Sequence, residues 1–197
     1  GGITSFMDMP NTSPPTLDAA ALADKYRRAA GRVWGNHGFY MGASNDNLAD
    51  IKVVDPKTSP GIKVFMGAST GNMLVDNPET LDAIFKYAPT PIITHCEDTP
   101  MIDAELAPYK AKYGDDIPAE FHADIRSREA CMKSTLLALE LARRNDARLH
   151  VLHISTAQEL ALFERGPLIG GDGTRKRITA ETCIHFLRFD RADYATL

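Results

Sequence analysis

Gly61-Ile62-Lys63-Val64-Phe65-Met66-Gly67 is a short apolar run closed at both ends by glycine, with a lysine near its centre. The flanking Ile, Val, Phe and Met predict a buried strand, and nothing within the run neutralises its cation. A buried ammonium without a partner is destabilising or gives up its proton, and the neutral amine that results is a nucleophile open to chemical conversion. Taken alone, the run is read more simply. Lys63 snorkels from a strand end to solvent or pairs with a carboxylate on the next strand.

Outward from this run, strands alternate with helices. Towards the N-terminus, Gly2 to Met9 predicts a first strand stopped by Pro10 and the Pro14-Pro15 pair. Thr16 is expected to cap a helix from Leu17 to Ala30, with Arg27 and Arg28 late, as the helix dipole prefers. Gly38 to Ser44 predicts the second strand, followed by a short helical segment through Val54. The Lys63 run is the third, with a small-residue loop over Gly67–Gly71 at its end. Asn77 caps a helix to Tyr87 that has Pro78 at its first position. Pro91 to His95 is the fourth strand, and a long connection rich in Pro and charge follows from Glu97 to Asp124. A helix from Ile125 to Arg144, a fifth strand from Leu149 to Ile154, a helix from Thr156 to Arg165 and a sixth strand from Arg177 to Ile184 complete the chain. Repeated βα units of this kind build a parallel sheet. A closed (β/α)8 barrel takes about 250 residues, so six strands make about three-quarters of one.

At 197 residues the chain holds one sizeable core, and residues 1–197 are read as one domain. A net charge of −4 is too mild for a nucleic-acid or membrane-surface partner, which leaves a small-molecule substrate. Cys96, Cys131 and Cys183 are odd in number and lack paired short spacings, against both a disulfide framework and a thiolate zinc site. No run reaches membrane-spanning length and no leader pattern opens the chain, so a soluble, cytoplasmic protein is expected. The opening Gly1-Gly2-Ile3 lacks an initiator Met and runs almost at once into a strand, as if cut from something longer.

In parallel α/β architectures, ligands gather at the carboxyl ends of the strands. The polar residues placed there are Asn11 after the first strand, Lys63 on the third, His95 closing the fourth and His153 closing the fifth. Two histidines ending successive strands can converge on one metal ion through ring nitrogens. His150 and His153, three apart, point to opposite faces of a strand, so at most one faces the centre. His153 is the choice, and His150 is expected to be half-buried under the outer helices. His37 and His122 have weaker claims, and Cys96 is read as a small buried hydrophobe. Glu97 and Asp98 could orient a ligand but read more simply as solvated loop charges. His185, beyond the sixth strand, stays open. Beside two histidines, a neutral Lys63 amine gains a role: carbon dioxide adds to it to give a carbamate with two oxygens, able to bridge two divalent metals.

These residues resemble the dihydroorotase family of the amidohydrolase superfamily. The resemblance covers essentially the whole chain. It rests on Gly1-Gly2-Ile3-Thr4 through Asp8-Met9-Pro10-Asn11-Thr12, on the Lys63 run with Ser69-Thr70-Gly71-Asn72-Met73, on Thr94-His95-Cys96-Glu97, on His150-Val151-Leu152-His153-Ile154-Ser155-Thr156, and on Thr179-Ala180-Glu181-Thr182. It implies a TIM-like (β/α)8 barrel of the metal-dependent hydrolase type, present here as a partial barrel of about six βα units. It implies two zinc ions, with Lys63 as the carboxylated bridging ligand, His95 and His153 as ligands of the second metal, and Asn11 on the substrate carboxylate. The implied reaction is the reversible interconversion of dihydroorotate and N-carbamoyl-L-aspartate in pyrimidine biosynthesis, in a homo-oligomer, dimer or tetramer. The family's His-x-His strand and its general-base Asp are expected before Gly1 and beyond Leu197, and His185-Phe186 stands where the family often has two histidines. Hydantoinases and allantoinases share the metal logic, and a non-catalytic dihydroorotase-like scaffold is the reading from a different class.

Overall fold

The structure, a computed structural model, describes residues 2–67 and 72–196. Gly1 and Ser69-Thr70-Gly71, which help carry the resemblance, lie outside the described residues, as does the expected small-residue loop beyond Gly67.

In chain order the elements are β1 (Ser5–Asp8), α1 (Ala19–Ala29), β2 (Asn36–Phe39), β3 (Met41–Gly42), α2 (Leu48–Val53), β4 (Ile62–Phe65), α3 (Pro78–Tyr87), β5 (Ile92–His95), α4 (Thr99–Tyr113), α5 (His122–Ile125), α6 (Arg128–Arg144), β6 (Leu149–Val151) and β7 (Ile178–Ala180). Every strand pair is parallel: β1 with β2, then β3-β4-β5-β6-β7 in sequence order. β2 and β3 are the expected second strand interrupted at Tyr40. Its first half pairs with β1 and its second half with β4, the stagger that tilts strands in a barrel wall.

Alternation along the strands sorts the residues into two faces. Ile62, Val64, Ile92, Leu149 and Val151 share one core with Leu81, Ile84 and Phe85 of α3 and Ala138, Leu139 and Ala142 of α6. The residues between them point the other way. Register carries one row across the inner face, Gly42, Lys63, Ile93, His150 and Thr179, and a second row starts with Phe65 opposite His95.

Local signals explain the helix starts. The Asn77 side chain accepts from Thr80 N at 2.7 Å, with Pro78 next in line, as expected. α1 is capped by Asp18, which accepts from Ala21 N, and not by Thr16. Thr16 is buried, and its carbonyl accepts from Gly42 N, tying the loop after β1 onto β3.

Further expectations fail in this frame. The connection from Glu97 to Asp124 contains a 15-residue helix, α4, capped by Asp98. Its Met101, Ile102, Leu106 and Tyr109 pack on a small second core with Ile125 and Ala130. The helix expected over Thr156–Arg165 is only a 3-10 turn over Gln158–Leu162, and the one expected from Ile125 breaks at Arg126 into α5 and α6. The fifth and sixth strands are also shorter than expected, ending at Val151 and Ala180. Among the described residues no helix is long and apolar enough to cross a membrane.

Candidate metal centre

Lys63 is 2 % exposed, and its Nζ has no hydrogen-bond partner. β4 positions it: Ile62 and Val64 are drawn under the helices, so Lys63 must take the inner face. The amine lies 4.2 Å from the centroid of the Phe65 ring, a contact that only partly replaces lost hydration. Burial pushes it down to about 7, against the opposing pull of the Cys96 thiol and the Glu181 carboxylate. A large share of Lys63 is therefore neutral and nucleophilic near physiological pH.

His95 ends β5 one row nearer the carboxyl edge, opposite Phe65. Its Nδ1 lies 3.1 Å from Nε2 of His153. Strand geometry alone does not bring His153 there. β6 ends at Val151, and His153 adopts a left-handed backbone, φ 39°, that turns its ring onto His95. Burial first, then the charges of His95 and Lys63, hold His153 below the ordinary histidine range.

The other ring nitrogen of His95, Nε2, lies 2.6 Å from Oε2 of Glu97. Arg126, at the break between α5 and α6, donates from Nε to Oε1 of that carboxylate at 2.8 Å and from Nη2 to Oε2. Burial alone would raise the Glu97 carboxyl, but the hydrogen bonds from His95 and Arg126 outweigh it and bring it down to about 2. Glu97 is thus no solvated loop charge: at 6 % exposure it is a buried, ionised acceptor.

His150 also corrects the expectation. It sits on the inner row beside Lys63 and Ile93, not under the helices, because its cross-strand partners are Ile93 and Thr179. Its ring nitrogens reach Thr179 Oγ1 at 2.8 Å and Glu181 Oε2 at 3.2 Å. His37 stacks among Phe6, Tyr26 and Phe39. Cys96 is buried as expected, its thiol pushed up to about 11 by burial.

A cavity of about 990 Å³ opens beside the histidine pair and is lined by His95, Glu97, Arg126, His153 and His185, among others. Lys63 lies one register row deeper in the sheet, off the cavity wall. Asn11 is exposed in the loop after β1 and does not line this cavity. A groove of about 1130 Å³ on the outer face of α6 holds none of the candidate residues.

The structure thus brings His95 and His153 together, places Lys63 behind them on the same face, and leaves Asn11 apart. Among the described residues no group of three or more His, Cys, Asp and Glu side chains is arranged for a cation. The histidine pair needs a further donor, and the partnerless Lys63 amine, once carboxylated, is one of suitable chemistry. Sequence reading undervalued Glu97 and missed Arg126. The one signal was an acidic residue two positions after a strand-ending histidine.

No family model matches the chain. Curated relatives do. It is 30% identical over 192 residues to an allantoinase of Streptomyces avermitilis, a match covering 95% of this chain and 41% of the relative. It is 27% identical over 198 residues to a dihydroorotase of Methanosphaera stadtmanae, covering 98% of this chain and 42% of the relative. The chain therefore spans about two-fifths of the length of these relatives. Among solved structures, the L-hydantoinase (dihydropyrimidinase) of Arthrobacter aurescens matches with a TM-score of 0.74 and 29% identity, over 82% of this chain and 36% of that one. The described parallel sheet is part of the TIM-like barrel of these hydrolases. Relatives and fold together support placing the chain in the amidohydrolase superfamily.

Proposed function

We propose that this chain supplies the lysine and two of the histidines of a metal-dependent cyclic-amide hydrolase, with dihydroorotate and N-carbamoyl-L-aspartate as its substrate pair. One observation carries the reading. Lys63, buried and without a hydrogen-bond partner, lies on the strand face that also carries His95, whose ring nitrogen is 3.1 Å from that of His153.

The neutral Lys63 amine attacks carbon dioxide: an N–C bond forms, one proton leaves to solvent, and a carbamate with a single negative charge remains. Burial favours this step by supplying the unprotonated amine. The carbamate, with His95 Nδ1 and His153 Nε2, would hold two divalent cations, zinc foremost. When bound, these supply Lewis-acid activation of water and of the ring carbonyl. The chain's own residues do the rest. The Glu97 carboxylate lies 2.6 Å from Nε2 of His95, and the bend at His153 directs the second ring to the same point.

The second reading is a ureide substrate such as allantoin, favoured by the 30% identity to an allantoinase against 27% to a dihydroorotase. Turnover of dihydroorotate, allantoin and hydantoin by the zinc-loaded protein that contains this chain separates them. We expect the highest kcat/KM with dihydroorotate. Hydrolysis of allantoin alone moves the assignment to the second reading, and failure with all three, with Lys63 uncarboxylated, overturns both.

A further inference from the structure

Glu97 is held by donors from segments far apart in the chain. Arg126 reaches it across 29 positions with two nitrogens, and His95 contributes Nε2 at 2.6 Å. A carboxylate locked to a guanidinium can only accept from an imidazole, so the proton of a neutral His95 ring is placed on Nε2. Nδ1 then keeps its lone pair, and Nδ1 is the atom that faces His153 Nε2. The contact between the rings is consistent with this: His153 Nε2–H donates to His95 Nδ1 until a cation replaces that proton.

We propose that Arg126 and Glu97 are a positioning pair that fixes both the rotation and the tautomer of the His95 ring, leaving Nδ1 as the atom presented to a divalent cation shared with His153. The cation belongs to the metal-hydrolase reading above, on which this part of the inference rests. The tautomer is a property of the metal-free chain and stands or falls separately. Neither member of the pair need touch the cation. Histidine ligands are commonly oriented in this way by a carboxylate behind the ring, and loss of such a partner lowers metal affinity about 10- to 100-fold.

Two measurements test the pair. Long-range proton–nitrogen spectra of histidine-labelled, metal-free protein near neutral pH report the tautomer directly. The wild type is expected to show His95 as a single Nε2–H form. Glu97→Gln keeps the shape but offers one oxygen for donors on two sides, so the single form is expected to be lost. Arg126→Lys replaces the two-nitrogen fork with one point charge and is expected to fall between the two. Cobalt(II) titration followed by visible absorption should then show about 10- to 100-fold weaker binding in Glu97→Gln and a smaller loss in Arg126→Lys. Circular dichroism separates misfolding from a local change, and Arg126→Lys, altered at a half-exposed position, carries the test if Glu97→Gln does not fold. A wild-type ring protonated on Nδ1 overturns the proposal, as does a tautomer unchanged in the folded variants. A wild type with the expected tautomer that takes up no cobalt overturns the metal reading and leaves the positioning of the ring intact.

Discussion

Gly67 packs directly on Glu97: a Cβ built on Gly67 overlaps the Glu97 carbonyl carbon and oxygen. The segments leaving β4 and β5 therefore meet backbone to backbone, and the Lys63 strand is clamped to the residue that orients His95. Gly67→Ala is expected to push the two segments apart, at about 1–3 kcal/mol as for other overpacked sites. Gly42→Ala meets the flexible end of Met73 and the edge of Pro10, and is expected to cost less. Urea denaturation of both variants checks the order, and equal costs would refute the clamp.

Lys63 makes stability depend on pH in a definite direction. Its folded value is about 7 against 10.5 in the unfolded chain, so between these limits the unfolded state holds the extra proton and stability rises with pH. At ~1.4 kcal/mol per unit, the gain from pH 7 to about 8.5 is roughly 2 kcal/mol in buffer free of carbon dioxide. Above that range Cys96 and Cys131, raised to about 11 and about 12 by burial, act in the opposite sense. Lys63→Met should lose the rise and be more stable than the wild type below pH 7. Thermal melts across this window decide it.

Glu97 sets the acid limb. Its carboxyl is lowered from 4.5 to about 2, so its contribution is present above pH 4.5 and disappears as pH falls towards 2. The full amount is about 3 kcal/mol at ~1.4 kcal/mol per unit. The surface carboxyls of Asp24, Asp82 and Asp172, lowered chiefly by their hydrogen bonds, stay so in wild type and variant alike. The difference in acid denaturation between wild type and Glu97→Gln isolates the buried group.

Carboxylation gives a prediction at the amine itself. Labelled bicarbonate should yield a carbamate carbon signal that strengthens with zinc and is absent in Lys63→Arg, whose guanidinium stays protonated. A signal of equal strength in Lys63→Arg would assign the carbamate to another amine.

What was legible in the sequence was local. The Ile-Lys-Val-Phe alternation, the Asn77-Pro78 start of α3 and the apolar run ending at His95 each specify their element with neighbouring residues alone. α4 was hidden because its apolar residues are scattered and Pro108 lies inside it, so no single stripe marked the helix. The inward face of His150 depends on register with Ile93 and Thr179, which the strand's own residues do not encode. Glu97 looked solvated because its counter-ion comes from Arg126, brought close only by α4 and the turn that follows it. Of the candidate site, the polar residues at strand ends were readable one by one, and the hydrogen bonds that orient them were not.

The left-handed backbone at His153 has a consequence for assembly. Asn, Asp and Gly tolerate such a conformation, whereas a β-branched residue resists it. Most of the strain of turning the second ring onto the first is thus built in during folding, before any cation arrives. On the proposed metal reading, a cation would meet a largely preorganised pair, and His153→Asn would remove the imidazole while leaving the bend that aims it.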